Sequence, residues 1–203
     1  MSGISEKRDS CAIELFENSI QDKKTIVIFG VARGGTSMVA GVVRKLGFFL
    51  GEKVPNNHED PQMINSSIEA IKETVKSRNE NYDVWGWKNP HAVKYLDKLK
   101  DDLINPVLII VNRDIVATSK GHIRWHGRDS LFAITDIIQQ QNQNIVLALR
   151  WQVPTLMVSY EKCVQYPRSA IYEIATFLNA PIPEKEEFKD IVAFMKPGKY
   201  KEI

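Results

Sequence analysis

Cysteine is scarce in this sequence. The 203 residues include only two, Cys11 and Cys163, and neither belongs to a C-x-x-C pair. This scarcity excludes a disulfide-rich scaffold, and the spacing predicts no zinc site. We expect both side chains to be ordinary thiols.

Long hydrophobic runs are also missing. Spanning a bilayer takes roughly 20 consecutive apolar residues, and no stretch of the chain has them. The first residues, MSGISEKRDSCAIELFENS, contain no uninterrupted apolar stretch after their charges. The sequence therefore predicts neither a membrane span nor a cleaved signal peptide, and we expect a cytoplasmic protein.

A strong charge imbalance is absent as well. The 27 basic and 25 acidic side chains give a net charge of +2, so the composition does not favour a nucleic-acid partner. Any anion site must be local. With 43% hydrophobic and 26% charged residues, the composition is typical of a globular protein.

What the sequence does contain is an alternation of strand and helix patterns. Three apolar runs rich in β-branched residues have the character of buried parallel strands: 25–29, 106–111 and 155–160. Helical spacing of apolar residues occurs at 38–47, 66–77, 91–103, 130–151 and 169–178. Shorter strands are expected at 82–87 and 48–51. The order predicts an α/β fold with a parallel sheet flanked by helices on both faces.

No internal repeat or linker divides the chain. We therefore predict a single domain over residues 1–203, with a core of about 24–180. A polar segment precedes this core. The charged tail that begins at Pro181 is expected to be only partly ordered.

The segment Gly30-V-A-R-G-G-T-Ser37 has the spacing of a phosphate-binding P-loop, and it joins a predicted strand to a predicted helix. Thr36 occupies the position of the lysine that such loops direct at the β and γ phosphates. Backbone N–H groups of Gly34, Gly35, Thr36 and Ser37 can still converge on an anion at the helix N-terminus.

Arg33 supplies the positive charge that Thr36 lacks. The loop therefore favours a ligand with one phosphate-like group over a triphosphate–magnesium complex. A glycine-rich turn that binds nothing is the alternative reading.

Four stretches, in order along the chain, resemble the sulfotransferases that use 3′-phosphoadenosine 5′-phosphosulfate (PAPS), particularly the bacterial members. They are RGGTS (33–37), WGWKNP (85–90), VLIIVNRD (107–114) and MVSYEKCVQYPRSAIYEIATFLNAPI (157–182). The resemblance implies a P-loop nucleotide-binding type of fold and PAPS as the donor, with no metal ion. It also implies that Arg33, Gly34, Gly35, Thr36 and Ser37 bind the 5′ phosphosulfate.

The resemblance further implies that Arg113 binds the 3′ phosphate of the donor. A serine usually follows that arginine in the family, but the strict position here falls on Gly121. Ser119, or alternatively Thr118, is the expected partner of Arg113 in an altered geometry.

Sulfuryl transfer requires cationic or N–H donors at the bridging oxygen and a base near the acceptor hydroxyl. Lys88, together with Arg33 and the loop amides, is the candidate for the first task. An exposed lysine at a strand end is the alternative for Lys88. Glu59 takes the place of a glutamate in the bacterial members, so it is the favoured base, with His58 second.

The same N-H-E-D-P segment is also a good junction between a loop and a helix. Asp60 is predicted to cap that helix and Pro61 to occupy its first position. A purely structural role in this junction is therefore the alternative for both Glu59 and His58.

The sequence leaves three functions open. The first is a PAPS-dependent sulfotransferase that acts on a small-molecule or carbohydrate acceptor. The second is a nucleotide kinase or NTPase with an aberrant P-loop, but strand 107–111 leads to Asn112 and Arg113 before any carboxylate that could hold magnesium. The third is a nucleotide-binding module without catalysis.

Overall fold

The structure is a computed structural model that describes residues 9–19, 22–64, 66–127 and 129–198. Within these ranges, the centre of the fold is one five-stranded sheet. The strands are β1 (Ala12–Leu15), β2 (Lys24–Gly30), β3 (Val84–Lys88), β4 (Pro106–Asn112) and β5 (Thr155–Ser159). They lie in the order β1-β5-β4-β2-β3. Four strands are parallel, as predicted, and β1 pairs antiparallel with β5.

Eight α-helices formed by the described residues surround the sheet. They are α1 (Thr36–Lys45), α2 (Pro61–Ile64), α3 (Ile68–Asn81), α4 (Ile115–His126), α5 (Ser130–Trp151), α6 (Tyr160–Gln165), α7 (Pro167–Phe177) and α8 (Lys185–Met195). The long helix predicted at 130–151 is confirmed at the same residues. No helix within the described ranges is both long and apolar enough to cross a membrane.

Helices cover both faces of the sheet because successive strand residues point to opposite sides. On one face, Ile26 and Ile28 of β2 pack in a core with helices α1, α7 and α8. On the other face, Val27 and Phe29 join a core with α3 and α5. Every residue of β2 is buried, which explains its uninterrupted apolar sequence.

Four regions differ from the sequence expectations. Residues 91–103 form three successive 3₁₀ turns, Ala92–Lys94, Leu96–Lys98 and Lys100–Asp102, instead of one α-helix. The charged tail contains helix α8, and residues 199–203 lie outside the described part of the chain. The polar segment before the predicted core contributes the edge strand β1. The stretch 48–51 forms only a single bridge, from Phe49 to Trp85.

The parallel strands place the functional candidates at one edge. β2, β3, β4 and β5 all end at the same edge of the sheet, and the loop 31–35, Lys88, Arg113 and Tyr160 stand at these four ends. Ligands of open α/β sheets bind at this carboxyl edge.

Candidate functional site

The loop after β2 leads into the N-terminus of α1. Gly34 N–H donates to Val31 O at 2.8 Å and closes the turn. Gly35 is the N-cap of α1 with φ of 89°, no side chain among the described residues caps the helix, and its first turn carries no acidic residue. These features leave the positive end of the helix dipole directed at the loop.

Only glycine fits at position 35. A Cβ atom there would lie 2.1 Å from Cδ2 of Tyr160, and the positive φ disfavours any L side chain. Tyr160 therefore packs directly against the loop backbone. Tyr160 lies in the stretch 157–182 that resembles the sulfotransferases, and the resemblance implied no role for it.

Lys88 joins the loop to the segment that carries Glu59. Its ammonium donates to Glu59 Oε1 at 2.7 Å, to Asn57 O at 3.0 Å and to Ser37 Oγ at 3.2 Å. The Lys88 side chain is 2% exposed and that of Glu59 is 23% exposed. Burial lowers the pKa of Lys88, and the Glu59 carboxylate partly opposes this shift. Three of the predicted site residues thus meet at one point.

The hydroxyl of Ser37 is fully engaged by this cluster. It donates to Asn57 O at 2.9 Å and accepts from Lys88. In a triphosphate-binding loop the corresponding hydroxyl ligates Mg²⁺. Here an ammonium group stands beside it.

The two candidate bases occupy different surroundings. Whereas Glu59 contacts Lys88, His58 is 1% exposed, and its Nδ1 lies 3.2 Å from Nη1 of Arg44 on α1. Its ring also makes an edge contact with Phe194 of α8, with 6.0 Å between centroids. His58 therefore packs between these helices, and Glu59 is the candidate that lies beside Lys88.

A buried ion pair holds the segment that carries Glu59. Asp60 Oδ2 lies 2.5 Å from Nη2 of Arg78 on α3, and both side chains are almost completely buried. Asp60 Oδ1 accepts the N–H of Gln62 at 3.0 Å, and Pro61 is the first residue of α2. The predicted cap is thus present, and it is tied to α3.

Arg113 and Arg33 meet at the end of β4. Nη1 of Arg113 donates to the backbone oxygen of Arg33 at 2.9 Å, and its guanidinium lies 4.5 Å from the centroid of the Tyr160 ring. Nε of Arg113 is 3.7 Å from Oε1 of Glu161. Tyr160 therefore supports both the loop and the arginine predicted to bind the 3′ phosphate.

Helix α4 carries the two candidates for the partner of Arg113, Ser119 and Thr118. Thr118 Oγ1 donates to Asp114 O at 2.8 Å within the helix. Ser119 is 3% exposed, and its hydroxyl has no hydrogen-bond partner among the described residues. Burying a hydroxyl without a hydrogen-bond partner costs free energy, and a bound ligand could supply the partner. Ser119 is therefore a better candidate than Thr118 for binding a ligand.

The same helix contacts the loop through two other residues, His122 and Gly121. His122 Nε2 lies 2.8 Å from Ala32 O, and a Cβ at Gly121 would lie 3.2 Å from Cβ of Arg33. The sequence motifs gave His122 no role. Its position one turn after Thr118 on the same helix is the signal that could have indicated a contact with the loop.

Comparison with solved structures identifies the fold as that of sulfotransferase domains. The sulfotransferase domain of the Synechococcus PCC 7002 olefin synthase superposes with a TM-score of 0.61 at 16% identity, covering 87% of this chain and 80% of that domain. Sulfotransferase STF9 from Mycobacterium avium gives a TM-score of 0.56 at 10% identity, with 86% and 68% covered.

An unliganded sugar kinase from Janibacter sp. HTCC2649 gives a TM-score of 0.46 at 15% identity, with 78% of this chain and 95% of that chain covered. No family model matches the sequence, and no curated protein does.

Proposed function

We propose that the protein transfers a sulfuryl group from PAPS to a hydroxyl or amine of a small-molecule or carbohydrate acceptor. The observation that carries the proposal is the contact of Lys88 with Ser37. A buried ammonium lies beside the hydroxyl that would hold magnesium in a triphosphate site, within a fold shared with sulfotransferase domains. A phosphosulfate needs a cation at its bridging oxygen, and no metal is required to supply it.

The donor would bind across the ends of β2 and β4. The loop amides and Arg33 would hold the 5′ phosphosulfate, because the helix dipole and the guanidinium both favour an anion there. Arg113 and Ser119 would hold the 3′ phosphate. The buried Ser119 hydroxyl, which has no partner among the described residues, supports this fit because a phosphate oxygen would satisfy it.

The transfer is an in-line displacement at sulfur. An acceptor oxygen attacks the sulfur, the bond from sulfur to the bridging oxygen breaks, and 3′-phosphoadenosine 5′-phosphate leaves with the electron pair. Lys88 would stabilise the negative charge that develops on the bridging oxygen. Glu59 would accept the acceptor's proton once Lys88 turns from its carboxylate to the donor. His58 is the second candidate for the base that accepts this proton.

Calorimetric titration with 3′-phosphoadenosine 5′-phosphate, in parallel with ATP–magnesium, tests the donor site. We expect micromolar or tighter binding of the bisphosphate, weakened roughly 10- to 100-fold by Arg33→Ala and by Arg113→Ala. Arg150→Ala is the matched control, because Arg150 pairs with Asp97 on an exposed surface near the end of α5. Bisphosphate binding no tighter than that of ATP–magnesium would contradict the proposal.

Turnover separates a transferase from a binding module. We expect release of the bisphosphate from PAPS to accelerate when the correct acceptor is present. Tight binding of the bisphosphate without turnover on any acceptor of a broad hydroxyl and amine panel would instead indicate a module that has lost its chemistry.

A further inference from the structure

The two cysteines of the chain are neighbours in the fold. About 150 residues separate Cys11 from Cys163 in sequence, yet both belong to the same buried core, with 2% and 0% of their surfaces exposed. Cys11 lies beside the end of β5, where its backbone oxygen accepts the N–H of Ser159 at 2.9 Å. Cys163 is on α6, which starts directly after that residue.

Their side chains both lie near the end of α6. Sγ of Cys11 donates to the backbone oxygen of Tyr166, the residue that follows α6, at 3.5 Å, and Cys163 lies one turn earlier on the same helix and in the same core. Both thiols are reduced in this structure. Their proximity is not a consequence of a bond between them, so packing alone brings the only two cysteines of the chain together.

The two thiols have unequal acidities. The hydrogen bond from Cys163 lowers the pKa of Cys11, and the positive charge of Lys162 adds to this effect. The same hydrogen bond, together with burial, raises the pKa of Cys163. A thiol of lowered pKa is oxidised more readily, and a second thiol beside it can react with the resulting sulfenic acid to form a disulfide.

We propose that Cys11 and Cys163 form an oxidation site at which peroxide generates an intramolecular disulfide. The Cys11 thiolate attacks one oxygen of hydrogen peroxide and becomes a sulfenic acid, and the displaced hydroxide takes a proton to give water. The Cys163 sulfur then attacks the Cys11 sulfur, and the second oxygen leaves as water. In total, two thiols and one peroxide give one disulfide and two waters.

Peroxide can reach Cys11 from the side of the sheet that ends in the outermost strand, β1. β1 has four residues and pairs with β5 on one side, so its opening requires only a few hydrogen bonds to break. Opening of β1 exposes Cys11. The disulfide would then link the segment of β1 to α6. The first residue of α6 is Tyr160, whose ring packs against Arg113 and Gly35.

The test is peptide mapping of the full chain without reduction, after hydrogen peroxide treatment and alkylation of the remaining thiols. We expect a cross-linked pair of peptides that contains Cys11 and Cys163, and loss of both titratable thiols. Cys163→Ala should instead accumulate sulfenic or more oxidised Cys11. Cys11→Ala should leave Cys163 largely unmodified, because it is fully buried and its pKa is raised.

Thermal unfolding provides a second readout. A disulfide that closes a loop of this length should raise the melting temperature by roughly 5–10 °C, and a dithiol reductant should reverse the shift. Neither single variant should show it. Over-oxidised Cys11 in the wild type, an intermolecular disulfide, or two thiols that remain alkylatable would overturn the proposal. No nucleotide is used, so the result is independent of the transferase activity.

Discussion

The ammonium of Lys88 lies 2.7 Å from Oε1 of Glu59, so the proposed cation and the proposed base neutralise each other before any donor is bound. The structure also excludes the alternative that Lys88 is an exposed lysine at a strand end, because its side chain is only 2% exposed. For Glu59 to act as a base, Lys88 must exchange its carboxylate partner for the donor.

Glu59→Gln should separate catalysis from binding. We expect the rate of bisphosphate release from PAPS to fall by about 10²–10⁴, since the base is lost. Affinity for the bisphosphate should be kept or increased, because Lys88 no longer has a competing carboxylate. Glu52→Gln is the matched control, since Glu52 is exposed and belongs to the same connection between α1 and α2. Equal rates of bisphosphate release in the two variants would contradict the assignment of Glu59 as the base.

Ser119→Ala should weaken nucleotide binding without weakening the fold. Its hydroxyl has no partner among the described residues, so we expect an unchanged melting temperature and roughly 5- to 10-fold weaker binding of the bisphosphate. Thr118→Val is the contrasting variant, because it removes the hydrogen bond to Asp114 O and should reduce stability by about 1 kcal/mol. Calorimetry and thermal melts distinguish the two. A lower melting temperature for Ser119→Ala with intact affinity would refute the role.

Gly35→Ala tests the packing of Tyr160 against the loop. Gly47 provides a matched control, because its φ of 91° is close to the 89° of Gly35 and, apart from its chain neighbours, no atom of the described residues lies within 4 Å of a Cβ at that position. We expect Gly47→Ala to cost roughly 1–2 kcal/mol from backbone strain alone. Gly35→Ala should cost roughly 1–3 kcal/mol more, because its Cβ overlaps the Tyr160 ring. Urea unfolding measures both values, and similar costs would show that Tyr160 does not constrain the loop.

Tyr95 should make the protein sensitive to alkaline pH. Its hydroxyl donates to Met63 O and accepts hydrogen bonds from Trp87 and Asn89, and burial raises its pKa to about 12. The unfolded chain releases this proton near pH 10, so the contribution of Tyr95 to stability is complete below pH 10 and is lost toward pH 12.

The comparison variant for this pH effect is Tyr95→Phe. At pH 9 it should be less stable than the wild type, and the difference in unfolding free energy should shrink by roughly 2 kcal/mol between pH 10 and pH 12. Denaturant unfolding at several pH values measures the difference. A gap that stays constant over this range would show that the pKa of Tyr95 is not raised.

Sequence patterns predicted the elements whose structure depends on local chemistry and burial. The β-branched runs gave β2, β4 and β5, and the glycine spacing located the loop at the end of β2. The pattern at 91–103 identified a truly buried face, since Ala92, Leu96 and Leu99 are fully buried. It did not identify the hydrogen-bond register, because 3₁₀ and α turns can both place these residues on one side.

Other features depend on partners that are distant in sequence. β1 exists because it pairs with β5, and Ala12–Leu15 alone has too few residues to show a strand pattern. The tail folds into α8 because Phe188, Ile191 and Met195 are buried in the core shared with α1 and α7. The orientations of His58 toward α1 and of Glu59 toward Lys88 likewise follow from tertiary packing, which neighbouring positions in one sequence do not reveal.

The two short pairings at the sides of the parallel strands affect how the protein behaves at high concentration. β1 covers β5, and the backbone oxygen of Phe49 accepts the N–H of Gly86 on β3 at 2.9 Å. Within the described part of the chain, β5 is therefore covered along its length, whereas β3 is paired at a single bridge on its outer side. Open edges recruit strands from other molecules and lead to aggregation. Removing the residues before Lys24 would uncover β5, and a shortened protein of this kind would aggregate by adding strands there.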